Sequence, residues 1–394
     1  MQVLKIIIPG EFWDSQIYKG RLYLFGVEKE LRILNWDSLA DEMNVSPYLQ
    51  YAFVASFIRG NDLYSPEKRE LLQDAEIRAV LLEKFTDLAN QHLEINNGKL
   101  DRLTIWHRDS PFPFPHSDSL IYVDRLYTVG RSGIFSSRRA SSLKRPIDTN
   151  VEKLWDCPVL NASASYYHIA LATGNEGLYE LGVMDYADGE PNLVSAKDCS
   201  KCDWIYYSLY CSSGTGVSYM AAYTDLRKRG LPTVELVDWR RFERTIDAPE
   251  IFDAQGYSWG TRDKIYLIHE NTIDVIRYNP WKTQGESYPF ERMDSIYLAA
   301  WKGEIITAAV AAYGLVIECD NAIVIIPSSG EPITLPGEPV NWRIFPRSVY
   351  YENQLHILYE DRLEILSFSH DYFIDQKAKL AGYIYKYRPV RGNL

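Results

Sequence analysis

The sequence predicts an all-β chain, a seven-bladed β-propeller with a helical insertion in its first blade, occupying 1–394 as one domain. Three observations predict it. A short Asp-containing turn followed by apolar strands recurs along the chain, in seven copies. Most intervals between copies are about 38 to 50 residues, the length of a four-stranded blade. The first interval breaks that period and carries helical spacing instead.

The first copy runs from Phe12-Trp13-Asp14-Ser15 into Gly20-Arg21-Leu22-Tyr23-Leu24, and the second from Ser117-Asp118-Ser119 into Asp124-Arg125-Leu126-Tyr127. The next two begin at Trp155-Asp156-Cys157 and Cys202-Asp203-Trp204, and two more at Phe252-Asp253-Ala254 and Met293-Asp294-Ser295. The last, Val340-Asn341-Trp342, has Asn in place of Asp. Each copy adds a further apolar strand such as Leu31-Arg32-Ile33-Leu34 or Thr272-Ile273-Asp274-Val275-Ile276. Gly174-Asn175, Glu270-Asn271 and Asp320-Asn321 stand where hairpins must reverse.

This repeat resembles the WD40-like propeller superfamily in period and strand layout. It lacks the Gly-His and Trp-Asp dipeptides at their usual places in each blade. Trp13-Asp14, Trp36-Asp37 and Trp155-Asp156 occur, the first and third ahead of a first strand. The resemblance covers almost the whole chain as architecture and implies no specific functional family.

A ring of blades must close or leave an edge of unpaired backbone. Val3 to Glu11 looks like Pro332 to Glu338, an outer strand, so the N-terminus is expected to complete the last blade. The segment 371–394, with Lys379-Leu380-Ala381-Gly382-Tyr383-Ile384-Tyr385, is the competing closing strand and tail. Between Asp14 and Asp118 lie about 104 residues where the period is about 45. The excess, 37–97, holds Ser65-Pro66 as a helix start, then Leu71, Leu72, Ala75, Ala79, Leu82, Phe85 and Ala89 on one helical face. That helix is expected to pack on the propeller flank.

Hydrophobic residues make up 46% of the chain and aromatics 13%, with 29 Tyr and 10 Trp, which suits half-buried strands with one wet end. A net charge of −11 argues against a nucleic-acid partner, which would require a basic face. The N-terminus reads as a strand and not a signal peptide, and no apolar run is long enough for a membrane helix. Five irregularly spaced Cys do not form a disulfide framework, which fits a cytoplasmic protein.

The recurrent Asp is the main functional candidate. Asp14, Asp118, Asp156, Asp203, Asp253 and Asp294 would ring one mouth of the channel and attract a basic peptide or partner. Alternatively, each Asp caps the amides of its own turn. Other clusters fall short of a site. His107-Arg108-Asp109 and His116-Ser117-Asp118 are held apart by Pro111-Phe112-Pro113-Phe114-Pro115 and lack a third anchor. Cys199-Ser200-Lys201-Cys202, with Cys211 following, lacks a second pair for zinc. Basic runs at Arg138-Arg139, Arg227-Lys228-Arg229 and Arg240-Arg241 read as solvated hairpins. No metal and no cofactor is expected. The sequence therefore points to a non-enzymatic scaffold or regulatory subunit that binds protein partners. The alternative is a metal-assisted hydrolase or lyase at the channel mouth.

Overall fold

Alternation along the chain decides the strands. In β1 (Leu4–Pro9) the side chains of Leu4, Ile6 and Ile8 are fully buried while Lys5 is exposed, the two-residue period of a sheet with one wet face. The computed structural model describes residues 3–59, 74–139, 146–183, 190–214, 216–225, 240–280, 289–298, 303–327, 331–348 and 350–368. In chain order β2 (Phe12–Tyr18), β3 (Arg21–Gly26) and β4 (Glu30–Asn35) are followed by the insertion, which carries β5 (Leu93–Glu94), and then by β6 (Thr104–Asp109). Next come β7 (Asp118–Tyr122), β8 (Arg125–Gly130), β9 (Gly133–Arg138) and β10 (Glu152–Trp155). They are followed by β11 (Asn161–Ser165), β12 (His168–Ala172), β13 (Leu178–Gly182) and β14 (Asn192–Ser195). The fourth set is β15 (Lys201–Ile205), β16 (Ser208–Ser212), β17 (Ser218–Asp225) and β18 (Arg240–Asp247). The fifth is β19 (Tyr257–Thr261), β20 (Lys264–His269), β21 (Thr272–Tyr278) and β22 (Phe290–Arg292), with β23 (Ile296–Tyr297) also paired to β21. The sixth is β24 (Ile305–Ala311), β25 (Gly314–Cys319), β26 (Ala322–Pro327) and β27 (Ile333–Pro336). Last are β28 (Asn341–Ile344), β29 (Gln354–Leu358) and β30 (Arg362–Ser367).

Each set forms one antiparallel sheet, and the seven sheets make a seven-bladed β-propeller. The chain divides into two compact units. Unit 1 comprises Met1–Ser110, Ser141–Pro146 and Gly303–Leu394, and unit 2 comprises Pro111–Ala140 and Ile147–Lys302.

Unit 2 holds the sheets beginning at β7, β11, β15 and β19, and its core lies between consecutive sheets. Val129 and Ile134 of one sheet meet Ile169 and Leu171 of the next. Ala170 and Leu178 meet Trp204 and Leu209, and Met220 meets Ile265 and Leu267. Such face-to-face packing explains why the middle strands are apolar on both faces.

In unit 1 the last sheet runs β28-β29-β30-β1-β5. The N-terminal strand pairs antiparallel with β30, from Leu4 opposite Ser367 to Pro9 opposite Arg362. It therefore takes the fourth place in the last blade, where the likeness to Pro332–Glu338 put it. Its other edge is covered as well, because β5 pairs with it in parallel, Ile6 opposite Leu93. The segment 371–394 lies outside the described residues. Ile6 is sealed from both sides, so Ile6→Ala is expected to cost about 2–5 kcal/mol in urea denaturation.

The insertion lies between β4 and β6 and packs on the last blade. Its helices are α1 (Leu39–Glu42), α2 (Gln50–Phe53), a π-helical turn at Val54–Ile58, α3 (Ala75–Ala89) and α4 (Asn97–Leu103). The carbonyls of Ser56 and Phe57 in the π turn are not orphaned. Phe57 accepts from the Trp36 indole at 2.7 Å and from Gln354 Nε2 at 2.8 Å, and Ser56 accepts from Asn353 at 2.9 Å. α3 starts at Ala75, where the Asp74 carboxylate caps the amides of Glu76 and Ile77.

The expected start at Ser65-Pro66, and Leu71 and Leu72, lie outside the described residues. The buried face of α3 is Leu81, Phe85 and Leu88, with Ala75 and Ala79 exposed. The expected face is thus rotated. Alanines counted equally with leucines in the pattern, yet a methyl group buries too little area to set the phase. Among the described residues no helix is long and apolar enough to cross a membrane.

Candidate functional site

Within unit 2 the first strands β7, β11, β15 and β19 lie side by side, and in unit 1 β28 lies beside β2. Polar groups buried between such strands must find partners across the blade boundary. Asp118 is buried at the start of β7. Its carboxylate accepts from the amide of Ser119 at 2.8 Å, from Asn161 Nδ2 at 2.7 Å and from the amide of Ala162 at 3.0 Å. Asn161 Oδ1 in turn accepts from the amide of Cys202 at 3.0 Å, one blade further on. Asp203 accepts from the amide of Trp204 at 2.8 Å and from Ser163 Oγ at 2.8 Å. The Trp204 indole donates to the Ser163 carbonyl at 2.8 Å.

Asp14 in unit 1 follows the same plan with a stronger partner. A bulge at Phe12/Asp14 turns it into the interior, where it is 0% exposed. It accepts from the amide of Ser15 at 2.7 Å and from Arg343 in a fork, Nε at 2.7 Å and Nη2 at 2.8 Å. Asn341 Nδ2 adds a longer contact at 3.3 Å, while Asn341 Oδ1 caps the amide of Trp342, as the Asp residues cap theirs. These three aspartates are joints between blades.

The other three members of the expected set lie on connections between strands and are exposed. Asp156 follows β10 and pairs with Lys153. Asp253 ends the helix α5 (Ala248–Phe252) in the left-handed region, φ 58°. Asp294 lies between β22 and β23. The place in the third blade that corresponds to Asp118 is taken by Asn161 and not by Asp156. The six carboxylates therefore divide into three that bond across blades, Asp14 and Asp118 buried and Asp203 half-buried, and three that are exposed.

One constellation has no local signature in the sequence. Ser15 Oγ lies 3.1 Å from His356 Nδ1, and His356 Nε2 lies 3.3 Å from Gln354 Oε1. All three side chains are buried, and the Phe345 ring meets the imidazole edge-on at 4.7 Å. Burial pushes the imidazole down to about 3, with the nearby Asp14 opposing it. Sealed from solvent and kept neutral, the Ser–His–Gln chain is a joint and not a nucleophile with its base. It is formed by residues 341 positions apart in sequence, brought together when the N-terminal blade meets the last.

The remaining candidates do not assemble. His107 is exposed on β6 in unit 1, 3.3 Å from Arg32 Nη2, and His116 is buried ahead of β7 in unit 2. Cys202 stands opposite Cys211 across β15 and β16, with Cys199 buried beside them. Hydrogen bonds from these two thiols lower Cys199 to about 5, while the same bond and burial raise Cys202. Among the described residues no group of three His, Cys, Asp or Glu side chains is arranged to hold a metal ion. Arg139 pairs with Asp124, and Arg227-Lys228-Arg229 lies outside the described residues.

No family model matches the chain, and no curated protein matches it in sequence. Solved structures do. The β-propeller domain of Cps50 (Swd1) from Myceliophteria thermophila matches with a TM-score of 0.50 at 9% identity, over 91% of this chain and 97% of that one. The Pan2 WD40 domain of Neurospora crassa matches with a TM-score of 0.48 at 8% identity, over 91% of this chain and 89% of that one. At such identity the likeness is one of fold. The chain is a seven-bladed β-propeller, similar in fold to the β-propeller domain of Cps50 (Swd1), and no specific family is identified for it.

Proposed function

We propose that the chain is a non-enzymatic interaction scaffold, a subunit of a larger assembly, and that the exposed acidic connections of unit 2 hold a basic segment of a partner. One observation carries this reading. The groups able to do chemistry, Asp14, Asp118, Asp203 and the Ser15–His356 pair, are used up in joints, whereas Asp156, Asp253 and Asp294 face solvent. Asp156 and Asp253 stand on the connections that lead into the first strands β11 and β19, and a rigid frame with variable loops suits recognition. Exposed carboxylates attract Lys and Arg without ordering cost to the frame.

The test is fluorescence anisotropy with a labelled oligo-arginine peptide. The unaltered chain should bind it, more weakly as salt rises. Asp156→Asn, Asp253→Asn and Asp294→Asn combined should lower affinity about tenfold, from losses of about 0.5 kcal/mol per exposed contact. Asn tolerates the left-handed backbone at Asp253, so folding is spared. Equal affinity in the triple variant would refute the reading.

A further inference from the structure

Three of the five cysteines share one core cluster of unit 2. Cys202 on β15 stands opposite Cys211 on β16, and Cys199 lies on the connection between β14 and β15. The Cys202 amide donates to Asn161 Oδ1 at 3.0 Å, so it points away from β16. Cys202 and Cys211 therefore form a non-hydrogen-bonded pair, in which facing Cα atoms lie about 4.5 Å apart and the side chains approach closely. That separation is inside the range of roughly 4.4–6.8 Å that a disulfide spans. The strand register alone brings two thiols to bonding position.

Cys199 supplies the reactive member. Both neighbouring thiols donate hydrogen bonds to it and the Tyr219 hydroxyl of β17 adds another, which together bring it down to about 5. The carboxylates of Asp198, Asp203 and Asp118 oppose ionisation in the cluster. The Lys197 ammonium lies 5.5 Å from the centre of the Tyr219 ring and pairs with Asp247 at 2.7 Å. A thiolate is the nucleophilic form of cysteine. All three thiols are buried, yet Cys199 is flanked by half-exposed Asp198 and Ser200 on a connection whose Ala196 and Lys197 are exposed. Two backbone bonds to Gly174, at 2.7 and 3.0 Å, seat that connection. Local opening there admits a molecule little larger than water.

We propose that Cys199, Cys202 and Cys211 form a peroxide-responsive thiol couple, which closes a reversible Cys202–Cys211 disulfide by way of Cys199. The Cys199 thiolate attacks one oxygen of hydrogen peroxide, the O–O bond breaks, and hydroxide leaves a sulfenic acid behind. The Cys202 thiol displaces that oxygen as water and forms a Cys199–Cys202 bond. Cys211 then attacks Cys202 and expels Cys199, the better leaving group because it is the most acidic of the three. The proton lost by Cys211 neutralises the hydroxide. In sum, two thiols and one peroxide give one disulfide and two waters, and Cys199 returns to its starting state. The couple lies in the blade interior and uses none of the exposed aspartates, so it goes beyond the basic-segment reading and is tested separately.

The test is exposure of the folded, reduced full chain to hydrogen peroxide, then blocking with iodoacetamide and mass spectrometry after digestion without reductant. Trypsin cuts after Lys201 and chymotrypsin after Trp204 and Tyr207, so every pairing of the three cysteines is distinguishable. A Cys202–Cys211 link should accumulate and be removed by dithiothreitol. Cys157, the more accessible thiol but one raised by burial and by Glu176, should still be alkylated. Cys199→Ala should slow the linkage about tenfold, and Cys211→Ala should stop the reaction at a Cys199–Cys202 link. Thiol loss in the unaltered chain, a readout that needs no variant, should be nearly independent of pH between about 6 and 8, where an ordinary thiol would react about tenfold faster per unit. Linkage only in urea, oxidation of Cys157 ahead of the cluster, an equal rate in a folded Cys199→Ala chain, or sulfinic acid in place of the disulfide would overturn the proposal.

Discussion

Asp14→Ala is expected to destabilise the folded chain by about 3–5 kcal/mol, read as a shift in the denaturant midpoint. The cost does not come mainly from a lost attraction. It comes from leaving the guanidinium of Arg343, whose side chain is 18% exposed, without the carboxylate that accepts its fork. The amide of Ser15 loses its acceptor as well. Replacing both partners by apolar residues, Asp14→Leu with Arg343→Leu, should cost clearly less than the sum of the single losses, because no charge is then stranded. If the double change proved additive, the pair would not be the joint described.

Acid should destabilise the chain through His356. Its imidazole is held near 3 by burial, against 6.5 when exposed. Below about pH 6.5 the unfolded chain takes up a proton that the folded chain refuses. Stability is thus complete above that pH and falls as pH drops, by about 1.4 kcal/mol per pH unit from this group, until about pH 3. Carboxylates add their own acid dependence at the lower end, so the window between about pH 6.5 and 5 separates this imidazole from them. His356→Gln should flatten the slope of stability against pH there, whatever it does to the absolute value. An unchanged slope would show that the imidazole protonates in the folded chain.

The architecture was legible because its signals are local. The Asp turns, the apolar runs and the hairpin residues each lie within a few positions. The likeness of Val3–Glu11 to Pro332–Glu338 was enough to place the N-terminal strand beside β30. What the sequence hid is set by neighbours distant along the chain. Nothing near Asp14 announces Arg343, and nothing near Asp118 announces Asn161, since each partner comes from another blade. The bulge at Asp14 and the helix α5 before Asp253 change which way similar-looking Asp residues face, so one spacing produced two environments. The Ser15–His356 pair requires the ends of the chain to meet.

The central claim is that buried aspartates join blades while exposed ones meet a partner. It is tested most directly by measuring denaturant midpoint and oligo-arginine affinity on the same samples of two variants, Asp14→Ala and the combined Asp156→Asn, Asp253→Asn and Asp294→Asn. The account predicts that the first loses midpoint and, where folded, keeps the peptide, while the second keeps its midpoint and loses the peptide. A contrary result would be an Asp14→Ala chain as stable as the parent that no longer binds the peptide.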